Sequence, residues 1–133
     1  MAIPNGAGGY QVGDGNIGEA VLSVQGAPTA VAAAATMTAA ELSNGLFVFN
    51  GAAGSLTLPT VALVEADITA ASKVNASFDF IVINIDASGS DSVTLAVGTG
   101  WTIVGAAAVA VNTSGHFRAR KTGEGAWTCY RLS

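Results

Sequence analysis

The run "SFDFIVINID", Ser77 to Asp86, constrains the fold more than any other stretch of the chain. Successive side chains of a β-strand point to opposite faces, so Phe78, Phe80 and Val82 share one face while Ile81, Ile83 and Ile85 share the other. A strand whose middle is apolar on both faces reads as central, with neighbours on either side and cover above it. The chain is thereby committed to a sheet-based body.

Around this strand, short apolar runs recur between turn signals, the pattern of a mainly β domain. "EAVLSV" from Glu19 reads as a first strand, and "TAVAAAATMT" as a second whose alanines pull toward helix. "LFVFN", a "GAAG" turn and "SLTLP" follow, and beyond the central strand come "VTLAV", "WTIVG" and "AAAVAV". Two short helices interrupt them. Thr38 and Glu41 have the T-x-x-E spacing of a capping box with Gly45 as the stop. Thr60 caps a second helix that sets Val61, Val64 and Ile68 on one side. The chain ends in a hairpin, "HFRARKT" and "AWTCYRL" about the loop "GEG", whose last glycine can take the positive φ of a bulge. In that register Ala119 faces Cys129 and Leu132 faces His116. Turns roughly every 8–12 residues without βα alternation predict an antiparallel β-sandwich or jelly-roll-like barrel with one or two short helices.

Residues 1–18 hold six glycines, one proline and no regular period. They read as an extended N-terminal arm anchored by Ile3, Tyr10, Val12 and Ile17, and residues 19–133 as a single β domain. Within the arm "GDGNIG", Gly13 to Gly18, matches the G-x-G-x-x-G of dinucleotide-binding folds. That fingerprint works only between a buried strand and a helix whose N-terminal amides face the phosphate. Here "MAIPNGAGGYQV" contains no central strand, and "EAVLSVQGAP" ends at Gly26 and Pro28. No acidic residue follows where ribose binding needs one. The glycines therefore read as bends that permit close backbone approach, and no cofactor is expected.

Half of the residues are hydrophobic and only 11% are charged, against about a quarter in an ordinary soluble domain. A surface so poor in charge points to contacts with other protein or with membrane. A spanning helix does not fit. The uncharged stretch Ala20 to Ala40 is broken by Gly26 and Pro28, and Ser92 to Gly115 by Gly98, Gly100 and Gly105. Homo-oligomer or larger assembly is the remaining expectation. The start has neither the basic residues nor the apolar run of a signal peptide, so synthesis and retention in a cytoplasm are expected until release within something larger. The lone Cys129 reads as a small buried apolar residue, and the sequons at Asn75 and Asn112 as chance.

Charge is segregated along the chain. Residues 1–115 carry eight acids against Lys73, whereas residues 116–133 carry Arg118, Arg120, Lys121 and Arg131 against Glu124. Interleaved with Phe117, Trp127 and Tyr130, these cations form either a patch for an acidic protein surface or a solvated face with basic stems lying over aromatic rings. A net charge of −4 makes nucleic acid an unlikely partner. His116 is the sole histidine, and the hairpin register places it away from Cys129 on the opposite face. Asp86 and Asp91 flank a Ser/Gly loop and read as turn residues. Ligand spacings for zinc or calcium are missing. Neither an enzyme nor a metal site is expected.

The opening "MAIPNGAGGYQVGDGN", the central "KVNASFDFIVIN", "GTGWTIVG" and the closing "SGHFRARKTGEGAWTCYRLS" resemble small structural proteins of tailed bacteriophages, particularly head decoration, or cement, proteins. The resemblance spans nearly the whole chain, and its motifs also recur in β-rich domains of phage tail fibres and other virion appendages. It implies a homotrimer on the outer capsid surface that binds the major capsid protein and clamps neighbouring subunits against packaged DNA by buried area. The alternative it implies is an appendage module that binds a receptor or glycan through Trp101, Trp127 or Tyr130. The family carries no fixed set of contact residues. Chemistry nominates Tyr10 and Ile17 in the arm and Arg118, Arg120 and Trp127 in the hairpin.

Overall fold

The computed structural model describes residues 3–4, 10–11, 22–69, 73–86, 89 and 91–133. Of the arm, β1 (Ile3–Pro4) and β2 (Tyr10–Gln11) are described, as an antiparallel pair with Pro4 opposite Tyr10. Ile17, the "GDGNIG" stretch and Glu19 to Val21 lie outside the described residues. The rest of the expected first strand, Leu22 to Val24, is not a strand: Leu22 and Val24 are 87% and 101% exposed. Alternation makes a strand only where a neighbour completes the ladder, and no described strand lies beside this segment.

The alanine-rich run forms two strands, β3 (Thr29–Val31) and β4 (Ala35–Thr36), which belong to different sheets. Then come α1 (Ala39–Asn44), β5 (Leu46–Phe49), β6 (Gly54–Thr57), α2 (Val61–Asp67) and β7 (Ser77–Asn84). The chain continues through β8 (Val93–Ala96), β9 (Trp101–Val104) and β10 (Ala108–Val109) to β11 (Thr113–Gly123) and β12 (Ala126–Arg131). One sheet has the order β10-β8-β6-β4 and the other β3-β5-β7-β11-β12-β9.

From β3 to β11 the chain changes sheet at every step. Where each step also reverses direction, a strand that returns to its first sheet runs parallel to the one it left there. Thus β3, β5 and β7 are mutually parallel, as are β4, β6 and β8. With the parallel pair β12-β9 this makes the fold mainly β with mixed sheets, and corrects the antiparallel expectation. The turn signals carry the chain between sheets instead of closing hairpins. The hairpin β11-β12 is the exception, and its register is as the spacing implied, with Ala119 opposite Cys129. Its ladder runs on to Gly123 opposite Ala126, the irregularity falls between Lys121 and Gly123, and Gly125 has φ +67°.

Both sheets contribute to one core. Leu56, Val93, Leu95 and Val109 come from the four-stranded sheet, and Phe47, Phe80, Val82, Phe117, Ala119, Trp127 and Cys129 from the six-stranded one. Aromatic rings cross the inner face of the larger sheet in two rows. Phe80 stacks on Phe117 at 5.3 Å and meets the edge of Phe47, while Trp127 contacts Phe78 at 5.7 Å and Trp101 at 5.8 Å. Small side chains at Ala119 and Cys129 occupy the inner face beside these rings.

The two helices pack against each other and each buries residues in this core. In α1 both bonds of the capping box form, Glu41 N–H to Thr38 Oγ1 and Thr38 N–H to the Glu41 carboxylate, and Gly45 ends the helix at φ +79°. Thr60 caps α2, which buries Val61 and Val64 and packs Ile68 partly against the core. Asn84, fully buried at the end of β7, donates to the carbonyls of Asp91 and Val109 and accepts from the Asp86 N–H. The Asp91 N–H in turn donates to the Asp86 carboxylate, so these acids organise the loop as turn residues.

Candidate interaction surface

Strand β7 is central, as its two-sided apolar pattern requires, between β5 and β11. Its two faces differ. Phe80 and Val82 are buried, whereas Ile81 and Ile83 on the outer face are half-buried, as are Leu46 and Val48 beside them on β5. Ala30 on β3 and Ile85 just past β7 extend the patch with exposed surface. The outer face of the six-stranded sheet thus has an aliphatic half over β3, β5 and β7.

Its other half, over β11 and β12, is polar, and its charged groups are hydrogen-bonded within the chain. Asp79 lies opposite Arg118 in the β7-β11 ladder. The guanidinium donates to both carboxylate oxygens, Nε to Oδ1 at 2.7 Å and Nη2 to Oδ2 at 3.0 Å, a bidentate pair. His116 Nε2 stands 2.9 Å from the same Oδ2. Arg118 holds the Asp79 carboxyl below the usual carboxylate range, and Asp79 raises the Arg118 guanidinium. Arg120 donates to the Tyr130 hydroxyl from Nε at 3.1 Å and Nη2 at 2.6 Å, and to Asn75 Oδ1 from Nη1. Its guanidinium also lies 5.5 Å from the Tyr130 ring centroid. The basic stems over aromatic rings are therefore observed, and both arginines have partners within the chain.

The hairpin's inner face is locked to α2. Lys121, buried, places Nζ 3.0 Å from Glu65 Oε1, and the Trp127 indole N–H donates to that oxygen at 3.1 Å. These two bonds hold the Glu65 carboxyl below its ordinary range. Trp127 is 1% exposed and Trp101, whose indole N–H donates to the Pro59 carbonyl at 2.7 Å, is 7% exposed. Of the residues nominated for contact, the structure leaves Arg118 and Arg120 on the outer face and puts Trp127 in the core. Tyr10 is placed by the short arm ladder, and Ile17 is outside the described residues.

Cys129 is buried, and desolvation pushes its thiol up to about 12, so it is a thiol at neutral pH. Among the described residues no cluster of three His, Cys, Asp or Glu side chains could hold a metal ion, and no helix is long and apolar enough to cross a membrane. Asp79 and Glu65 escaped selection from the sequence because each gains its partners from strands or helices far along the chain.

The two depressed carboxyls make a pH prediction. A group whose pKa is lower in the folded than in the unfolded state stabilises the fold above its unfolded value, and that contribution is lost as pH falls through the folded value. Asp79 and Glu65 therefore withdraw support as pH drops below about 4, the ordinary carboxylate range. Urea midpoints measured from pH 7 down to pH 3 should fall, and Glu65→Gln with Asp79→Asn should flatten the slope.

Comparison with known proteins finds no matching family model, no matching curated protein and no matching solved structure.

Proposed function

We propose that the chain is a non-enzymatic structural protein of a tailed-phage virion, a homotrimeric decoration protein that covers the outer capsid surface and binds the major capsid protein. In this reading its two sheets form a β-sandwich that presents the outer face of the six-stranded sheet. One observation carries the reading. The face is half aliphatic, and its charged groups at Asp79, Arg118 and Arg120 are hydrogen-bonded within the chain. Such a surface binds by excluding water over area, with a polar rim whose geometry is fixed in advance. Tyr10 and Ile17 extend the contact along the shell from the arm, with Arg118 and Arg120 at its polar rim. Trp127 supports the face from beneath. With Trp101 and Trp127 buried, a glycan platform would retain only Tyr130, whose hydroxyl is held by Arg120.

Co-sedimentation with empty shells of the major capsid protein tests this. The wild-type chain should pellet with shells, and Val48→Lys with Ile83→Lys should weaken binding at least tenfold without changing the melting temperature by more than a few degrees. Deleting Met1 to Gly18 should give a folded protein that no longer pellets. If the wild type fails to pellet, or if both variants bind as it does, the reading is wrong.

A further inference from the structure

Two features left over by the shell reading match one another. The first is Leu22 to Val24, an apolar-polar-apolar segment with no ladder partner among the described residues and with both apolar side chains exposed. The second is β9, an edge of the six-stranded sheet. The other free edges of the two large sheets are blunted by length: β3 has three residues, β4 and β10 two each. Natural edges are also blunted by lysine, proline or inward charge. β9, "WTIV", has none of these, and no described strand pairs with its outer side.

The chain's own geometry keeps the two apart. Val24 is joined by Gln25 to Pro28 to β3, which is the opposite edge of the same sheet. From β3 to β9 is five strand spacings of about 4.8 Å, or about 24 Å. The five steps from Val24 to Thr29 span about 18 Å at full extension. They are also tied down at the β5 end: Asn44 Nδ2 donates to the Ala27 carbonyl and Gln25 Nε2 to the Asn44 carbonyl. These bonds hold Leu22 to Val24 on the β3 and β5 side of the sheet, away from its own β9.

The geometry points to strand exchange between copies: Leu22 to Val24 of one copy adds to the outer side of β9, Trp101–Val104, of a second copy. Main-chain bonds supply the attachment and the apolar side chains of the added segment gain cover, as in other cases of β-augmentation. Because donor and acceptor are different surfaces, the contact is heterologous, and it closes into a ring where the rotation between copies permits. The inference rests on the oligomeric part of the proposed function and is independent of what the oligomer binds.

Native mass by light scattering at micromolar concentration tests it with two full-length variants. Val104→Lys puts a charge on the acceptor strand at a half-exposed position, and Leu22→Asp with Val24→Asp does so on the donor. The wild type should have a mass that is a multiple of 13.1 kDa, and each variant alone should fall to 13.1 kDa with an unchanged melt. Mixed one to one, they should form pairs of twice that mass, since the acceptor variant keeps its donor and the donor variant keeps its edge. A monomeric wild type, a variant that retains the wild-type mass, or a mixture that stays monomeric overturns strand exchange. Shell binding is read separately: an oligomer that exchanges strands and ignores shells removes only the shell reading, and a monomer that coats shells removes only this one.

Discussion

Trp127→Ala is expected to cost about 3–5 kcal/mol, the range of large aromatic truncations in a core. That is a large part of the roughly 5–15 kcal/mol that separates folded from unfolded domains. Trp127 is where three elements meet. Its ring packs against Phe78 of β7 and Trp101 of β9, and its N–H reaches Glu65 of α2. Truncation opens a cavity between the larger sheet and α2 and leaves Lys121 to hold Glu65 without the indole. Urea unfolding followed by far-UV circular dichroism measures the cost. Trp127→Phe, which keeps a ring and loses the N–H, should lie between the wild type and the alanine variant. A loss below about 1 kcal/mol for Trp127→Ala would show that the ring is not part of the core.

Gly51→Ala should be nearly as damaging although it adds a single carbon. A Cβ built on Gly51 overlaps the carbonyl oxygen of Ala32 and falls 2.6 Å from its carbon. Both are backbone atoms, so no rotamer change relieves the overlap. The contact joins two passages between the sheets, the one from β3 to β4 and the one from β5 to β6, stacked backbone on backbone. Gly54 repeats the arrangement against Ala34 at a looser 3.2 Å. Separating the passages pulls on the parallel ladders β3-β5 and β4-β6 together. Overpacking costs about 1–3 kcal/mol where side chains can adjust. With backbone on both sides, Gly51→Ala should reach the upper end of that range, read as a fall of several degrees or more in melting temperature. Gly123→Ala, which meets nothing within 4 Å, is the control and should change little.

What could be read from the sequence follows the range of each signal. The capping box at Thr38 and Glu41, the Thr60 cap and the register that pairs Ala119 with Cys129 depend on residues close together in the chain, and each stands as expected. Periodicity identified β7 as central, since two apolar faces need neighbours wherever those neighbours originate. It could not tell a turn that closes a hairpin from one that crosses to the other sheet, because both use the same small and polar residues, and the antiparallel expectation failed there. "EAVLSV" shows the same limit: its alternation suits a strand, yet Leu22 and Val24 have no described strand beside them. The pairing of Asp79 with Arg118 required β7 to lie against β11, and the burial of Trp127 required α2 to pack over the hairpin. Neither packing partner is written in local pattern.

The alternation of the chain between two sheets also sets the order in which the body can assemble. Within the two large sheets only β11-β12 pairs residues across a short loop; every other ladder there joins distant segments, as Leu46 with Ile81 or Trp101 with Trp127. Each distant pairing must close a long loop before any contact repays the lost entropy. Folds of this kind reach the native state in milliseconds to seconds, not microseconds. Within the two large sheets the β11-β12 hairpin is the piece that can form early, and it is synthesised after every strand it joins. Strands β3 to β10 therefore wait, with Phe47 and Phe80 uncovered, for residues that are made only after all of them.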